Sequence, residues 1–300
     1  MKKIKVTIEK TNMLPRRTFL QQTIASLSTL ALSLTGLGSM AGIDFPDKKK
    51  PRLAMQLWTV RNDIEKNMET ALQKVKSIGF SAVETAFFPE TITIKQAGKA
   101  LKSAGLKVCS IHCEMPVGKQ RDTWMELAEV YDCKTMIWHG WPENSQYKTM
   151  EGIKQLADHY NEANAFAKSR GLRFGLHNHW WEMTPHADGR LPFAILSDLI
   201  DKDIFYEIDT YWTKVAGQVP ATVVRQFANR ARFLHIKDGP AAGPDDFMVA
   251  AGTGSQDFPA IANAGEPEWM VVEFDKCKTD IFEALRKSYA YMIKNGLAEG

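Results

Sequence analysis

The chain has 300 residues, 44% of them hydrophobic and 24% charged, a balance that excludes an intrinsically disordered or membrane-filling polypeptide. Six of its 38 Lys and Arg and one of its 35 Asp and Glu fall in residues 1–41, which leaves 32 basic against 34 acidic side chains in residues 42–300. The formal +3 therefore belongs to the N-terminus, and the remainder offers no basic surface for nucleic acid.

Arg16 and Arg17 precede Thr18, Phe19 and Leu20, and an uncharged run rich in Leu, Ala, Ser and Thr extends over 21–41. A basic region, a moderately apolar centre and a small-residue exit resemble a twin-arginine export signal. Polar residues throughout the run argue against a membrane anchor, and no cysteine near its exit marks a lipoprotein. Residues 1–41 are expected to be removed on export to the periplasm, leaving no stable membrane insertion. Residues 42–51 read as a charged lead-in and 52–300 as one domain.

Apolar runs of strand character are predicted at 53–58, 80–84, 106–112, 134–139, 172–176, 205–209, 233–238 and 270–275. Helical patterns are predicted between and after them, at 64–78, 94–103, 121–131, 150–169, 193–200, 221–229, 258–264 and 280–294. Glycines at 79, 105 and 171 end three of these helices as C-caps would. No pair of runs is joined by a tight hairpin signal, so the sheet is parallel, and eight units favour closure into a (β/α)8 TIM barrel. No Gly-x-Gly-x-x-Gly follows the first strand, which removes the main support for a dinucleotide fold. Gly252 and Gly254 read as a loop turn rather than a phosphate cradle. The four cysteines, Cys109, Cys113, Cys133 and Cys277, contain no Cys-x-x-Cys pair, so they read as free thiols and not as a zinc ribbon.

The predicted strand ends are dense in ligand-type side chains. His177, Asn178, His179, Trp180, Trp181 and Glu182 follow the fifth strand; Asp209 ends the sixth, His235, Lys237 and Asp238 the seventh, and Glu273 and Asp275 the eighth. The steps from Glu182 to Asp209, His235 and Glu273 are 27, 26 and 38 residues, each near the length of one strand–loop–helix unit. Side chains at the carboxyl ends of successive strands of a closed barrel converge on one point. A divalent metal ion held by Glu182, Asp209, His235 and Glu273 is therefore expected, oxygen and imidazole donors suiting a hard or borderline ion. Gln56, Trp58, Glu84, His112, Trp138, His177, His179, Trp212 and Lys237 stand on the same face as expected substrate contacts. Flat tryptophan rings beside carboxylates suit a sugar, which has apolar faces and polar edges.

The set Gln56-Leu-Trp-Thr-Val-Arg61, Gly79-Phe-Ser-Ala-Val-Glu84, His177-Asn-His-x-x-Glu182, Asp209-Thr-x-Trp212, His235-Ile-Lys-Asp238 and Val272-Glu273 resembles the sugar phosphate isomerase/epimerase family of xylose isomerase-like TIM barrels. The resemblance covers roughly residues 52–297. It implies one divalent ion, Mn²⁺, Co²⁺, Mg²⁺ or Zn²⁺, on Glu182, Asp209, His235 and Glu273. His177 is the alternative donor from strand five; a second carboxylate beside Asp209 favours Glu182. The endonuclease branch of the same superfold resembles a trinuclear zinc site with a His three residues after the strand-six Asp; here that position is Trp212.

The expected chemistry is isomerisation or epimerisation of a small sugar by proton abstraction next to a carbonyl, through an enediolate. Glu182 and Glu273 on opposite faces of the carbon, with Lys237 or His112, would carry the proton. The alternatives are a lyase or hydrolase on a 3-keto-glycoside, using the same metal, and a non-catalytic periplasmic sugar-binding protein. An oligomer is compatible with all three.

Overall fold

A computed structural model of the protein describes residues 49–300; the export-signal reading over 1–41, and most of the lead-in, lie outside the described residues. Eight strands, β1 (Arg52–Gln56), β2 (Ala82–Thr85), β3 (Lys107–Cys113), β4 (Thr135–Trp138), β5 (Arg173–His177), β6 (Phe205–Asp209), β7 (Ala231–Ile236) and β8 (Trp269–Val272), close into a barrel in chain order. Every neighbouring pair is parallel, including β1 with β8. The helices are α1 (Arg61–Ile78), α2 (Ile94–Ser103), α3 (Gln120–Val130), α4 (Met150–Ser169), α5 (Pro192–Leu199), α6 (Thr210–Val215), α7 (Pro220–Gln226), α8 (Phe258–Asn263) and α9 (Ile281–Lys294). The predicted closed (β/α)8 barrel is the fold observed.

Local chemistry sets the boundaries. Thr93 and Gln96 form a reciprocal capping box that starts α2, and Pro192 and Pro220 open α5 and α7 where a missing N–H costs nothing. Gly105 and Gly171, both at φ +68°, turn the chain out of α2 and α4 as the sequence predicts. Two local features differ most from expectation. The first strand stops at Gln56 because Leu57–Val60 winds into a 3-10 turn capped by the Gln56 side chain. Helix α6 was not expected; Asp209 creates it by accepting hydrogen bonds from the backbone N–H of Tyr211 and Trp212.

Side chains alternate between the two faces of each strand, so the barrel interior is read off every second residue. At the amino ends Ala54, Ala82, Cys109, Ile137, Phe205, Phe233, Trp269 and Val271 form a closed apolar plug. Two residues on, the same inward face becomes polar: Phe205 is followed by Glu207 and Asp209, Phe233 by His235 and Lys237, and Val271 by Glu273. Gly175 makes room for the plug, since a Cβ there would stand 2.4 Å from the Phe205 ring. The larger core lies between strands and helices and includes Leu72, Phe174, Tyr206 and Leu285. Cys109, Cys113, Cys133 and Cys277 are free. Gly252 and Gly254 lie in a loop turn, their backbone N–H groups donating to Asp238 Oδ2 at 2.9 Å.

Candidate active site

Four buried atoms without a hydrogen-bond partner converge at the carboxyl end of the barrel: His177 Nε2, Asp209 Oδ2, His235 Nδ1 and Glu273 Oε2. The ligand atoms of these four residues lie within 4.8 Å of one another. His177 Nε2 is 3.4 Å and His235 Nδ1 3.6 Å from Asp209 Oδ2, and His235 Nδ1 is 2.8 Å from Glu273 Oε2. Asp209 Oδ2 and Glu273 Oε2 are ion-paired with Lys237, but none of the four atoms is in a formed hydrogen bond, and donors aimed at one point suit a shared partner. Two nitrogens and two carboxylate oxygens are a donor set for a divalent ion of hard or borderline character.

Local folding aims each donor. His177 ends β5, and its Nδ1 lies 3.1 Å from the carbonyl oxygen of His139. A carbonyl only accepts, so in the neutral ring Nδ1 holds the proton and Nε2 turns a lone pair to the cluster. Asp209 spends Oδ1 on capping α6, which leaves Oδ2 to the cluster. Its backbone N–H donates to Asn178 Oδ1 at 3.0 Å, tying β6 to the loop after β5.

Lys237 stands beside these donors, its Nζ 3.0 Å from Asp209 Oδ2 and 2.8 Å from Glu273 Oε2, and donates to Asp275 Oδ2 at 2.6 Å. Burial alone would lower its pKa, but Asp209, Asp275 and Glu273 outweigh that and hold it well above the usual ammonium value. Burial pushes Asp209 up, and Lys237, His177 and His235 more than reverse it, holding it well below the usual carboxylate range. Glu273 is likewise lowered, because Lys237 and His235 overcome the effect of burial. Lys237 is thus a fixed cation and Asp209 and Glu273 fixed anions at neutral pH.

Beneath this group lies a second, Glu84, His112, Glu207 and His235, whose ligand atoms again fall within 4.8 Å of one another. Here the atoms are hydrogen-bonded: His112 Nε2 is 2.6 Å from Glu207 Oε2, and His235 Nε2 is 2.8 Å from Glu84 Oε1. Burial raises Glu84, the charge of Glu207 adding to it, and burial lowers His112 to about 3. Burial lowers His235 too, but Glu207, Glu273 and Glu84 outweigh it and carry it well above the usual imidazole value.

The structure brings Asp209, His235, Glu273 and Lys237 together, with His177 rather than Glu182 as the neighbour from strand five. His177, not Glu182, completes the set. After His177 the backbone turns into a short 3-10 helix at Trp181–Met183, which carries Glu182 away from the strand end. Its carboxylate accepts the backbone N–H of His179 at 2.9 Å, and its other oxygen lies beside Gly140. Burial raises its pKa to about 8.

Gln56 and Glu84, expected as substrate contacts, are fully buried and hydrogen-bonded to each other inside the barrel at 2.7 Å. His112, expected as a proton carrier, is engaged with Glu207 in the lower group. Glu207 was not among the expected residues. Its position two residues before Asp209, hence on the same inward face, was the available signal.

The expected aromatic contacts remain at the mouth. Trp212 is packed under Lys237, whose Nζ is 5.1 Å from the ring centre. His179 stacks on Trp181 with ring centres 4.5 Å apart, and Trp138 touches His139 at 4.3 Å. Trp58 is exposed on the loop after β1, with Arg61 over its ring.

Residues 72–287 match the protein family described as the xylose isomerase-like TIM barrel. Two solved structures of a sugar phosphate isomerase/epimerase from Parabacteroides distasonis superpose with TM-scores of 0.68 and 0.69 at 20% and 21% identity. They cover 85% and 84% of this chain and 97% and 100% of their own. An L-ribulose 3-epimerase superposes at 0.62 with 18% identity, over 82% of this chain and 94% of its own. An AP endonuclease, family 2, from Brucella melitensis does so at 0.58 with 13% identity, over 81% and 98%. At these identities the likeness establishes the fold. No curated protein matches the chain.

Proposed function

Because this chain belongs to the xylose isomerase-like TIM barrel family, we propose that it is a divalent-metal-dependent sugar isomerase or epimerase that moves a proton at a carbon next to a carbonyl. The observation that carries this reading is the convergence of His177, Asp209, His235 and Glu273, whose ligand atoms lie within 4.8 Å of one another and are in no formed hydrogen bond. Those residues would hold the ion. When bound, it supplies Lewis-acid polarisation of a carbonyl and its neighbouring hydroxyl. Glu273, kept ionised, is assigned as the proton acceptor. Lys237, kept cationic, is assigned to the negative charge that develops on the substrate oxygen. Trp212 backs that ammonium and gives the apolar face of a sugar a flat surface. The isomerase and epimerase names of fold neighbours support the reaction class. Against the endonuclease chemistry stand the near-neutral charge of residues 42–300 and Trp212 at the position of that branch's histidine.

The experiment is elemental analysis of the purified protein, followed by incubation with keto-sugars in deuterated water. Bound divalent metal, with deuterium entering the carbon next to the carbonyl, supports the reading. Exchange that is unaffected by chelation of the metal would overturn it.

A second reading, cleavage of a 3-keto-glycoside at the same centre, is favoured by the rim. Trp58, Phe87, Trp141 and Phe247 are exposed on the loops after β1, β2, β4 and β7, and suit an apolar group attached to the sugar. Release of the aglycone without epimerised product would select it. Binding of sugars with neither outcome would leave the non-catalytic periplasmic binding protein.

A further inference from the structure

Resting on the cation site above, we propose that Glu84 and Glu207 are positioning residues that keep the proton of His235 on Nε2 and so present its Nδ1 lone pair to the metal. The two nitrogens of this ring differ in their surroundings. Nε2 makes a well-formed hydrogen bond to Glu84 Oε1 at 2.8 Å, with Glu207 Oε2 at 3.2 Å. Nδ1 is 2.8 Å from Glu273 Oε2 yet is in no formed hydrogen bond. An ion on Nδ1 takes the place of a proton there, so the bound ring keeps one N–H, and the carboxylates in hydrogen-bond reach below, Glu84 and Glu207, hold it on Nε2.

Glu84 is itself held in place. Gln56 Nε2 donates to its Oε1 at 2.7 Å and Ser110 Oγ to its Oε2 at 2.6 Å. The Gln56 amide has one orientation, because its oxygen accepts the backbone N–H of Trp58 at 3.1 Å and its NH₂ must then face Glu84. All four side chains, Gln56, Glu84, Ser110 and Glu207, are fully buried. His177 reaches the same result from the other side, holding its proton toward the carbonyl of His139. The two histidines therefore offer opposite ring nitrogens to one point.

The lower group is a proton-holding brace and not a second ion site. Its imidazole Nε2 atoms already have carboxylate partners in hydrogen-bond geometry and only Glu207 Oε1 lacks one, whereas all four donor atoms above are outside such geometry.

The test uses the full protein loaded with Zn²⁺. Zinc affinity is measured by chelator competition for wild type, Glu84→Ala, Glu207→Ala and Glu84→Gln, and the protonated nitrogen of His235 is read by nitrogen-15 NMR of the ring. The expectation is one ion per chain, the proton on Nε2, and affinity lower by ~10–100-fold in the two alanine variants. Glu84→Gln, whose amide oxygen still accepts that proton, should recover most of the loss. If Glu84→Ala does not fold, Ser110→Ala, which only frees one oxygen of Glu84, should weaken zinc in the same direction by a smaller factor. Wild-type affinity in these variants, a proton on Nδ1, or two ions per chain would overturn the inference. A wild type that binds no zinc would overturn the cation site as well, which separates the two failures.

Discussion

Glu273 stands one residue past the end of β8, with an ammonium and an imidazole against the same oxygen. As ligand and proton acceptor together it predicts a split result for Glu273→Gln. The amide keeps an oxygen donor but has no basic lone pair, so metal should be partly retained while kcat falls by ~10²-fold or more. Steady-state rates beside elemental analysis check both halves; retained kcat would move the proton transfer to another group. Glu182 gives a prediction of a different kind. Its folded carboxyl loses its proton at about 8 instead of near 4.5. Between those values the folded chain binds more protons than the unfolded one, so this group's contribution falls as pH rises and levels off above about 8. Glu182→Gln should remove that slope and stabilise the protein at pH 8 relative to pH 5, by roughly a few kcal/mol in denaturant titrations. It should leave bound metal unchanged, whereas His177→Ala should lower it strongly.

At the scale of elements, β5 packs closely against β6 at Gly175. Gly175→Ala would place a methyl 2.4 Å from the Phe205 ring and should cost about 1–3 kcal/mol of stability. Combining it with Phe205→Leu should recover part of the loss in thermal denaturation; an unchanged midpoint in the single variant would show that the plug has slack. The same strand shows what was legible in the sequence. The eight parallel strands and the meeting of Asp209, His235 and Glu273 followed from apolar runs that each stop at a ligand-type residue. Sequence distance from a strand end does not reveal the 3-10 turn at Trp181–Met183, so the spacing of Glu182 could not show that His177 stands nearer the other three. Glu207 was hidden by its place in the middle of an apolar run, although counting inward from Asp209 by twos reaches it. That Gln56 and Glu84 act from beneath the site depends on depth within the barrel, which residue order does not encode.

At the scale of the whole chain, the proposed export signal and the proposed active site lie in separate segments, so the two are expected to be separable. Arg16 and Arg17 lie outside the described residues, and among those described no helix is long and apolar enough to cross a membrane. Replacing both arginines by lysine should leave the barrel's activity intact and retain the protein in the cytoplasm, read by fractionation. Normal export of that variant would remove the twin-arginine assignment. The apolar plug at the amino ends of the strands has a consequence for isotopes. Because that end of the barrel interior is apolar and buried, a hydrogen taken from a substrate bound at the carboxyl end is expected to leave toward the mouth, past the molecule it came from. Some of those hydrogens should go back before they wash out. Product formed in a single turnover in deuterated water should then hold less deuterium at the reacting carbon than the solvent does, and loosening the rim should raise its share toward the solvent value.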